Sequence, residues 1–147
     1  MDRLIKERLR IKYYTRYMDD MVLLHSDKDY LREALRQIRS LCKNDLNLEL
    51  NEKTQIFPMR HGVDYLGWHF YLSETGKVIK MLRPQNKKRL KRRVKGLQKG
   101  YAERRLSFDD IKKSIVSTNG HLIHGHTYRL RTKIFNNTVF IRNRIDE

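Results

Sequence analysis

The sequence has a single cysteine and contains no long apolar run. Cys42 is the single cysteine, so an internal disulfide and a cysteine-rich zinc site are both excluded. No apolar stretch approaches the roughly 20 residues that a membrane-spanning helix needs. The N-terminal residues also lack the apolar region of a secretory signal. These absences predict a cytoplasmic protein in a reducing compartment, with no membrane partner.

Basic residues outnumber acidic residues about two to one. The 33 Lys and Arg against 17 Asp and Glu give a formal net charge of +16. Hydrophobic residues make up 39% of the chain, which is enough for a modest core and too much for a wholly disordered protein. The charge excess therefore predicts a folded protein that binds a polyanion.

The first part of the chain carries strand and helix patterns in turn. Residues 11–24 predict a β-hairpin, with Asp19 and Asp20 at its turn. Ser26, followed by Asp29, is typical of a helix start. The helix that follows has an apolar stripe made of Tyr30, Leu31, Ala34, Leu35, Ile38, Leu41 and Cys42. Its position in this stripe predicts that Cys42 is a small buried side chain.

Alternation of apolar and polar residues predicts further strands. Residues 46–50 alternate around three leucines and predict a half-buried strand. Residues 63–71 predict another strand, with Leu66, Trp68 and Phe70 on one face and Gly67 inside it. Residues 77–83 then return as its partner after a turn.

After Pro84 the pattern becomes helical and strongly basic. One predicted helix has an apolar seam at Leu90, Val94, Leu97 and Tyr101. Its cations are Lys87, Lys88, Arg89, Lys91, Arg92, Arg93, Lys95 and Lys99. Ser107 with Asp110 predicts the start of a short helix that ends at Asn119-Gly120, and residues 127–137 predict the last helix. The fold class is therefore α+β, an antiparallel sheet with a packed helix followed by a small all-α lobe.

The adjacent carboxylates of Asp19 and Asp20 are the strongest candidate for chemistry. Two carboxylates on a rigid turn repel each other and favour a hard divalent cation such as Mg²⁺. Enzymes of phosphoryl transfer hold two such ions about 3.5–4 Å apart. The alternative is an ordinary solvated turn, since Asp-Asp is common in turns. The flanking apolar strands and the basic chain favour the first interpretation.

Four segments in order resemble reverse transcriptases. Residues 16–24 (RYMDDMVLL) resemble the Tyr-x-Asp-Asp hairpin of that family, and residues 46–54 (LNLELNEKT) resemble the segment after its palm helix. Residues 62–70 (GVDYLGWHF) resemble its primer-grip hairpin. Residues 120–131 resemble the thumb of group II intron-like and diversity-generating retroelement enzymes. The first three of these segments, in order and at sensible spacing, are more specific than the aspartate pair alone.

The resemblance implies an RNA-directed DNA polymerase, a nucleotidyltransferase that extends a DNA primer on an RNA template. Residues 1–83 would be a partial palm and residues 84–147 a basic helical thumb. The implied cofactor is Mg²⁺, as two ions, with Mn²⁺ as a substitute. The implied substrates are deoxynucleoside triphosphates.

The resemblance also implies roles for particular residues. Asp19 would ligate metal, with Asp20 as a supporting or second ligand. Lys53 would neutralise and protonate the departing phosphate. Tyr17 and Met18 would lie beneath the primer terminus. The primer grip would be Leu66, Gly67 and Trp68.

Each of these residues also has a purely structural interpretation. Lys53 could be a surface lysine beside Glu52, and Met18 could fill a gap in the core. Leu66 and Trp68 could simply pack in the sheet.

The basic helix and a cluster of histidines complete the candidate sites. As part of a thumb, the cations of the helix would contact the nucleic-acid backbone without sequence preference, whereas the alternative is a solvated face. His121, His124 and His126 invite a zinc site, but with three ligands at irregular spacing backbone hydrogen bonding is favoured.

One departure from the family pattern concerns the metal site. Related polymerases take another aspartate from an upstream palm strand, and only residues 1–10 precede the hairpin here, with Asp2 in a charged segment. We therefore expect a C-terminal portion of a reverse transcriptase, either an expressed fragment or a truncated reading frame, with little or no polymerase activity alone. An N-terminal portion or an accessory protein supplied in trans is one open option for its partner. The alternatives are a non-catalytic RNA- or DNA-binding module and an intron maturase.

Overall fold

A computed structural model describes residues 1–143 and shows the predicted α+β fold class. The chain forms two compact units, Met1–Pro58 and Met59–Glu147. Residues 144–147, the end of the predicted thumb, lie outside the described residues. Within the described part, no helix combines the length and apolar character that a membrane crossing requires.

The first unit packs a β-hairpin and one long helix around a small core. A π-helical turn at Leu4–Arg8 precedes β1 (Tyr13–Tyr17) and β2 (Asp20–Leu24), which pair antiparallel, and α1 follows at Lys28–Asp45. The predicted hairpin is confirmed. The core consists of Leu4, Ile5, Leu9, Ile11, Ala34, Ile38 and Cys42. Cys42 is thus a small buried side chain, as predicted.

Two local predictions in this unit are wrong. The N-cap of α1 is Asp27, whose carboxylate accepts from the amides of Asp29 and Tyr30, rather than Ser26. Residues 46–50 form no strand, because they follow directly on the C-cap of α1 at Leu46 and their backbone bonds back to the helix. Asn47 adopts a φ of 50°, which Asn tolerates, and the Leu48 amide donates to the Cys42 carbonyl at 2.9 Å.

The second unit begins with a three-stranded antiparallel sheet in the order β3-β4-β5. These strands are β3 (Val63–Tyr65), β4 (Trp68–Leu72) and β5 (Val78–Leu82). The predicted single strand over residues 63–71 is wrong, since Leu66 and Gly67 form a two-residue turn inside it. Both turn residues have positive φ, 48° and 83°, the turn geometry that best matches the twist of a hairpin.

Three helices cover one face of this sheet. They are α2 (Pro84–Ala102), α3 (Phe108–Leu122) and α4 (Tyr128–Phe135). The core contains Trp68, Leu82, Leu90, Val94 and Leu122, with Leu130, Ile134 and Phe135 packed against it. The predicted seam of α2 and the capping box of Ser107 and Asp110 are confirmed.

The predicted end of α3 at Asn119-Gly120 is wrong, because the helix continues to Leu122. Gly120 costs a helix about 1 kcal/mol relative to Ala. Burial of Leu122, which is 2% exposed, offsets that cost. Tertiary packing therefore overrides the local signal.

The compact units divide the chain earlier than the predicted functional domains. The contact boundary follows Pro58, whereas the palm and thumb were divided after residue 83. The β3-β4-β5 sheet therefore lies in the same compact unit as helices α2, α3 and α4. Palm and thumb are functional domains, so their boundary stays a prediction.

Candidate functional site

The hairpin of the first unit ends in a turn that carries both candidate metal ligands. Residues 17–20 are here called the carboxylate turn. Tyr17 lies opposite Asp20, and Met18 and Asp19 are the two turn residues between them. Met18 has a φ of 51°, a region that costs a non-glycine residue about 1 kcal/mol. It is 75% exposed, which excludes the interpretation that it fills a core gap.

The opposite face of the hairpin holds this turn in place. Tyr14, Met21 and Leu23 are half-buried and pack against the core of the first unit. Side chains alternate across a strand, so Tyr17 and Asp20 lie on the other face. Tyr17 is 54% exposed there. The turn therefore presents its carboxylates and Tyr17 away from the core.

The chain contains a second Asp-Asp pair, which makes a direct comparison possible. Asp109 forms an ion pair with Lys113 at 2.6 Å, and Asp110 accepts from the hydroxyl and amide of Ser107. Among the described residues, Asp19 and Asp20 have no ion pair and no side-chain hydrogen bond. The pair on the carboxylate turn is therefore the one whose oxygens are available to a cation.

The first unit offers no third carboxylate for this turn. Asp2 accepts from the Tyr14 hydroxyl at 2.5 Å and lies 3.5 Å from the Arg16 guanidinium. These two contacts hold the pKa of Asp2 below its ordinary value, with the Tyr14 hydrogen bond the larger cause. Burial and the contact with Asp2 raise the pKa of Tyr14 to about 12. Asp2 is thus engaged elsewhere, and within residues 1–143 no three metal-ligating side chains converge.

Lys53 lies in the irregular segment after α1 and is exposed. Its amide donates to the Asn51 side chain at 2.9 Å, which shapes the local turn. In the described chain Lys53 makes no ion pair with Glu52, so the structural alternative gains no support from such a pair.

The three predicted primer-grip residues have different environments. Leu66 is at the tip of the β3-β4 turn and is 44% exposed, whereas Trp68 is 3% exposed in the core. The Gly67 carbonyl accepts from the Asn86 side chain at 2.8 Å, which fixes the turn to the first turn of α2. The turn is therefore an exposed backbone feature on a rigid base.

An ion-paired cluster that the sequence patterns did not reveal lies on the sheet face opposite the helices. Asp64 and His69 lie directly across from each other, with Oδ1 and Nδ1 2.7 Å apart. The other carboxylate oxygen is 3.1 Å from Nε of Arg83, the residue that precedes α2. No local pattern could have found this cluster, because its residues come from three separate elements.

Helix α2, here called the basic helix, presents cations around most of its surface. Lys88, Arg92, Lys95 and Lys99 recur at intervals of four, three and four residues, opposite the buried seam. Lys99 is 3.7 Å from Glu103, and Arg93 donates to Ser114. In the described chain the other six cations have no acidic partner. Such a face attracts a polyanion, because bound phosphates relieve the repulsion among the lysine and arginine side chains of the helix.

Of the three histidines that invited a zinc site, His126 makes backbone hydrogen bonds. The Lys80 amide donates to Nδ1 of His126 at 3.1 Å, and the His126 amide donates to the Lys80 carbonyl at 2.8 Å. The ring of His121 lies 5.2 Å from that of Trp68. No zinc-like cluster occurs among the described residues, and the favoured backbone role is confirmed for His126.

Comparison with protein families gives one match. Residues 1–70 match the family model described as reverse transcriptase (RNA-dependent DNA polymerase). The matched segment contains the carboxylate turn, α1, Lys53 and the β3-β4 turn, and the rest of the chain lies outside it. This segment, slightly less than half of the chain, is therefore similar to reverse transcriptases. No curated protein matches the chain.

Proposed function

We propose that this chain is the palm-and-thumb part of a reverse transcriptase of group II intron-like or diversity-generating retroelement type. It would add deoxynucleotides to a DNA primer on an RNA template. The observation that carries the proposal is the carboxylate turn, an exposed Asp-Asp pair with no ion pair to any residue of 1–143, inside a segment that matches the family model. We also propose a cytoplasmic location, which a buried, unpaired Cys42 suits.

Asp19 and Asp20 would hold divalent metal through their carboxylate oxygens, the ligands that Mg²⁺ prefers. When bound, two Mg²⁺ ions would activate the attacking hydroxyl and stabilise the leaving pyrophosphate. Two carboxylates are too few for such a pair of ions. The proposal therefore includes a third carboxylate from polypeptide outside the described residues, and Mn²⁺ as a substitute metal.

The other predicted site residues have supporting roles in this proposal. Tyr17 and Met18 would contact the primer terminus beside the carboxylates. Lys53 would approach the phosphates of the incoming nucleotide. Leu66 and Gly67 would contact the primer through the exposed turn, while Trp68, being buried, would act as a positioning residue.

The basic helix would bind the backbone of the template-primer duplex. Its stripe opposite the core runs from Lys88 to Lys99, about 16 Å along the helix axis. The predicted contact set is Lys87, Lys88, Arg89, Lys91, Arg92, Arg93, Lys95 and Lys99. Contacts of this kind carry no sequence information, as a translocating polymerase requires.

Metal binding at the carboxylate turn can be tested with Mn²⁺, whose unpaired electrons broaden nearby NMR signals. We expect traces of Mn²⁺ to broaden the amide signals of residues 18–21 first. The double variant Asp19→Asn, Asp20→Asn should lose this effect. Asp109→Asn, in the engaged aspartate pair, is the matched control and should retain it. Broadening that persists in the double variant would refute the metal role of the pair.

A non-catalytic nucleic-acid-binding module is the second candidate. The observation in its favour is that no third ligand joins the pair within the described residues. Primer extension separates the two functions. We expect no extension by the chain alone, and extension that Asp19→Asn abolishes once a polypeptide carrying the third aspartate is supplied. Unchanged template-primer binding by that variant, without extension under either condition, would favour the binding module.

A further inference from the structure

The second unit contains a pocket of whose lining residues only Lys87 has a proposed polymerase role, as a backbone contact of the basic helix. Its volume is about 380 Å³, which is within the range of small-molecule sites. Its floor is apolar and consists of Met81, Leu82 and Leu130. Three nitrogen-bearing side chains from separate elements also line it, namely Lys87, His126 and Arg129.

The tautomer of His126 is fixed by its neighbour in β5. The backbone amide of Lys80 can only donate, so Nδ1 of His126 must accept from it. A neutral His126 therefore carries its proton on Nε2, which leaves that nitrogen as a donor. Together with the Lys87 ammonium and the Arg129 guanidinium, the lining has three donors and suits an oxyanion.

The wall of the pocket is held rigidly. Thr127 is 2% exposed, and its hydroxyl donates to the Leu122 carbonyl at 2.5 Å. Gly125 packs so closely on Trp68 that an added Cβ would lie 2.3 Å from the indole ring. The backbone of the segment between α3 and α4 is therefore held at Gly125 and Thr127, and the His126 ring is held by its contact with the Lys80 amide.

We propose that this pocket binds a nucleoside 5′-monophosphate unit, either as a free nucleotide or at the 5′ end of a nucleic-acid strand. The phosphate would contact Lys87 and Arg129, with Nε2 of His126 as a further donor. The base would lie against the apolar floor, which inorganic phosphate cannot use. No residue of the carboxylate turn takes part, and Lys87 is the one residue shared with the proposed duplex contacts of the basic helix.

The test uses the whole chain and NMR titrations that follow the His126 ring. Adenosine 5′-monophosphate should perturb the signals of His126 and Leu130. Adenosine and inorganic phosphate should each bind at least tenfold more weakly, because each lacks one half of the contacts. Inorganic phosphate binding as tightly as the nucleotide, or shifts confined to other residues, would overturn the proposal.

Charge variants separate a built site from general attraction to a basic protein. Arg129→Ala should weaken binding of the nucleotide about tenfold, because a charge-assisted hydrogen bond is lost. Lys87→Ala is the second variant, with the same expectation. Lys112→Ala removes one exposed cation of α3 outside the pocket and should have no effect. Equal losses in Lys112→Ala and Arg129→Ala would overturn the proposal.

Two oligonucleotides of one sequence, with and without a 5′-phosphate, show whether the bound nucleoside monophosphate is a free nucleotide or the 5′ end of a strand. If only the phosphorylated strand perturbs His126, the unit is a strand end. If neither does while the mononucleotide still binds, the unit is a free nucleotide. In both cases, binding of duplex by the basic helix is measured separately, so failure of one proposal does not imply failure of the other.

Discussion

Tyr14 and Asp2 form a pair whose partners are far apart in the sequence. The half-buried phenol donates to the carboxylate, and the raised pKa of Tyr14 means that the folded chain favours the neutral phenol. The stability that the raised pKa of Tyr14 contributes to the folded chain is therefore fully present as the pH approaches 10 from neutrality. It is lost as the pH rises through about 12, where the folded chain also releases the proton.

This pair predicts one late tyrosine in an alkaline titration. Of the eight tyrosines, we expect one to ionise near pH 12, as measured by ultraviolet difference absorbance. Tyr14→Phe should remove this late step. Tyr13→Phe, at the exposed neighbour on the other strand face, should leave it in place. A late step that survives Tyr14→Phe would disprove the assignment.

Two glycines predict opposite effects of the same substitution. Gly125→Ala would press a methyl group into Trp68 and the Lys80 carbonyl, and we expect a loss of about 2 kcal/mol or more. Gly120→Ala, inside α3 with no heavy atom within 4 Å of the added Cβ, should gain up to about 1 kcal/mol. Urea unfolding followed by Trp68 fluorescence measures both. A destabilised Gly120→Ala would contradict the open space around that position.

Single side chains illustrate which contacts can be predicted from sequence. The carboxylate turn was predictable because its two strands are adjacent in the chain and their pattern is local. The Asp64, His69 and Arg83 cluster and the Tyr14–Asp2 pair were not. Their members are 5 to 19 and 12 residues apart, and only the folded chain brings them together.

Among the helices and strands, the strongest expectation concerns the basic helix. Lys88, Arg92 and Lys95 are exposed, lie on one face and have no ion pair within the described residues. If each neutralises one phosphate, the slope of log K against log salt changes by about 0.9 per contact.

The triple variant Lys88→Ala, Arg92→Ala, Lys95→Ala should therefore reduce the salt slope of RNA–DNA duplex binding by about 2 to 3. Alanine favours helix, so the fold should persist. The control removes three exposed cations elsewhere, through Lys77→Ala, Lys112→Ala and Lys133→Ala. A filter-binding series in salt measures the slopes. Equal reductions in both variants would indicate attraction by net charge alone.

Elements were predictable where their own periodicity decides them. The seam of α2 and the capping box of α3 follow from residues within one or two turns. The continuation of α3 to Leu122 could not be predicted from nearby residues, because it depends on burial of Leu122 against Trp68 and Leu82, which is a tertiary effect. Residues 46–50 alternate as a strand would, yet the end of α1 determines their backbone.

At the scale of the whole molecule, residues 1–143 form two hydrophobic cores without a shared residue, and each core contains its own spectroscopic or chemical probe. Cys42 lies in the core of the first unit and Trp68 in that of the second. Thiol labelling of Cys42 therefore reports unfolding of one unit. Trp68 fluorescence reports unfolding of the other.

Core truncations should consequently act on one probe each. Ile38→Ala should lower the urea midpoint of Cys42 labelling, by a loss of about 2 to 4 kcal/mol, and leave the Trp68 midpoint unchanged. Leu122→Ala should do the reverse. Ile38→Val is the milder variant if the first fails to fold. Parallel shifts of both midpoints in either variant would show a single cooperative unit.

The pairing of Lys80 with His126 has one more consequence. Lys80 is in β5, the outermost strand on its side of the sheet, and strands in that position offer free N–H and C=O groups to any extended chain. Here both backbone groups of Lys80 are already occupied by His126. A neighbouring copy therefore finds no continuous row of hydrogen-bonding groups along β5, which disfavours the pairing of another strand at this edge of the sheet.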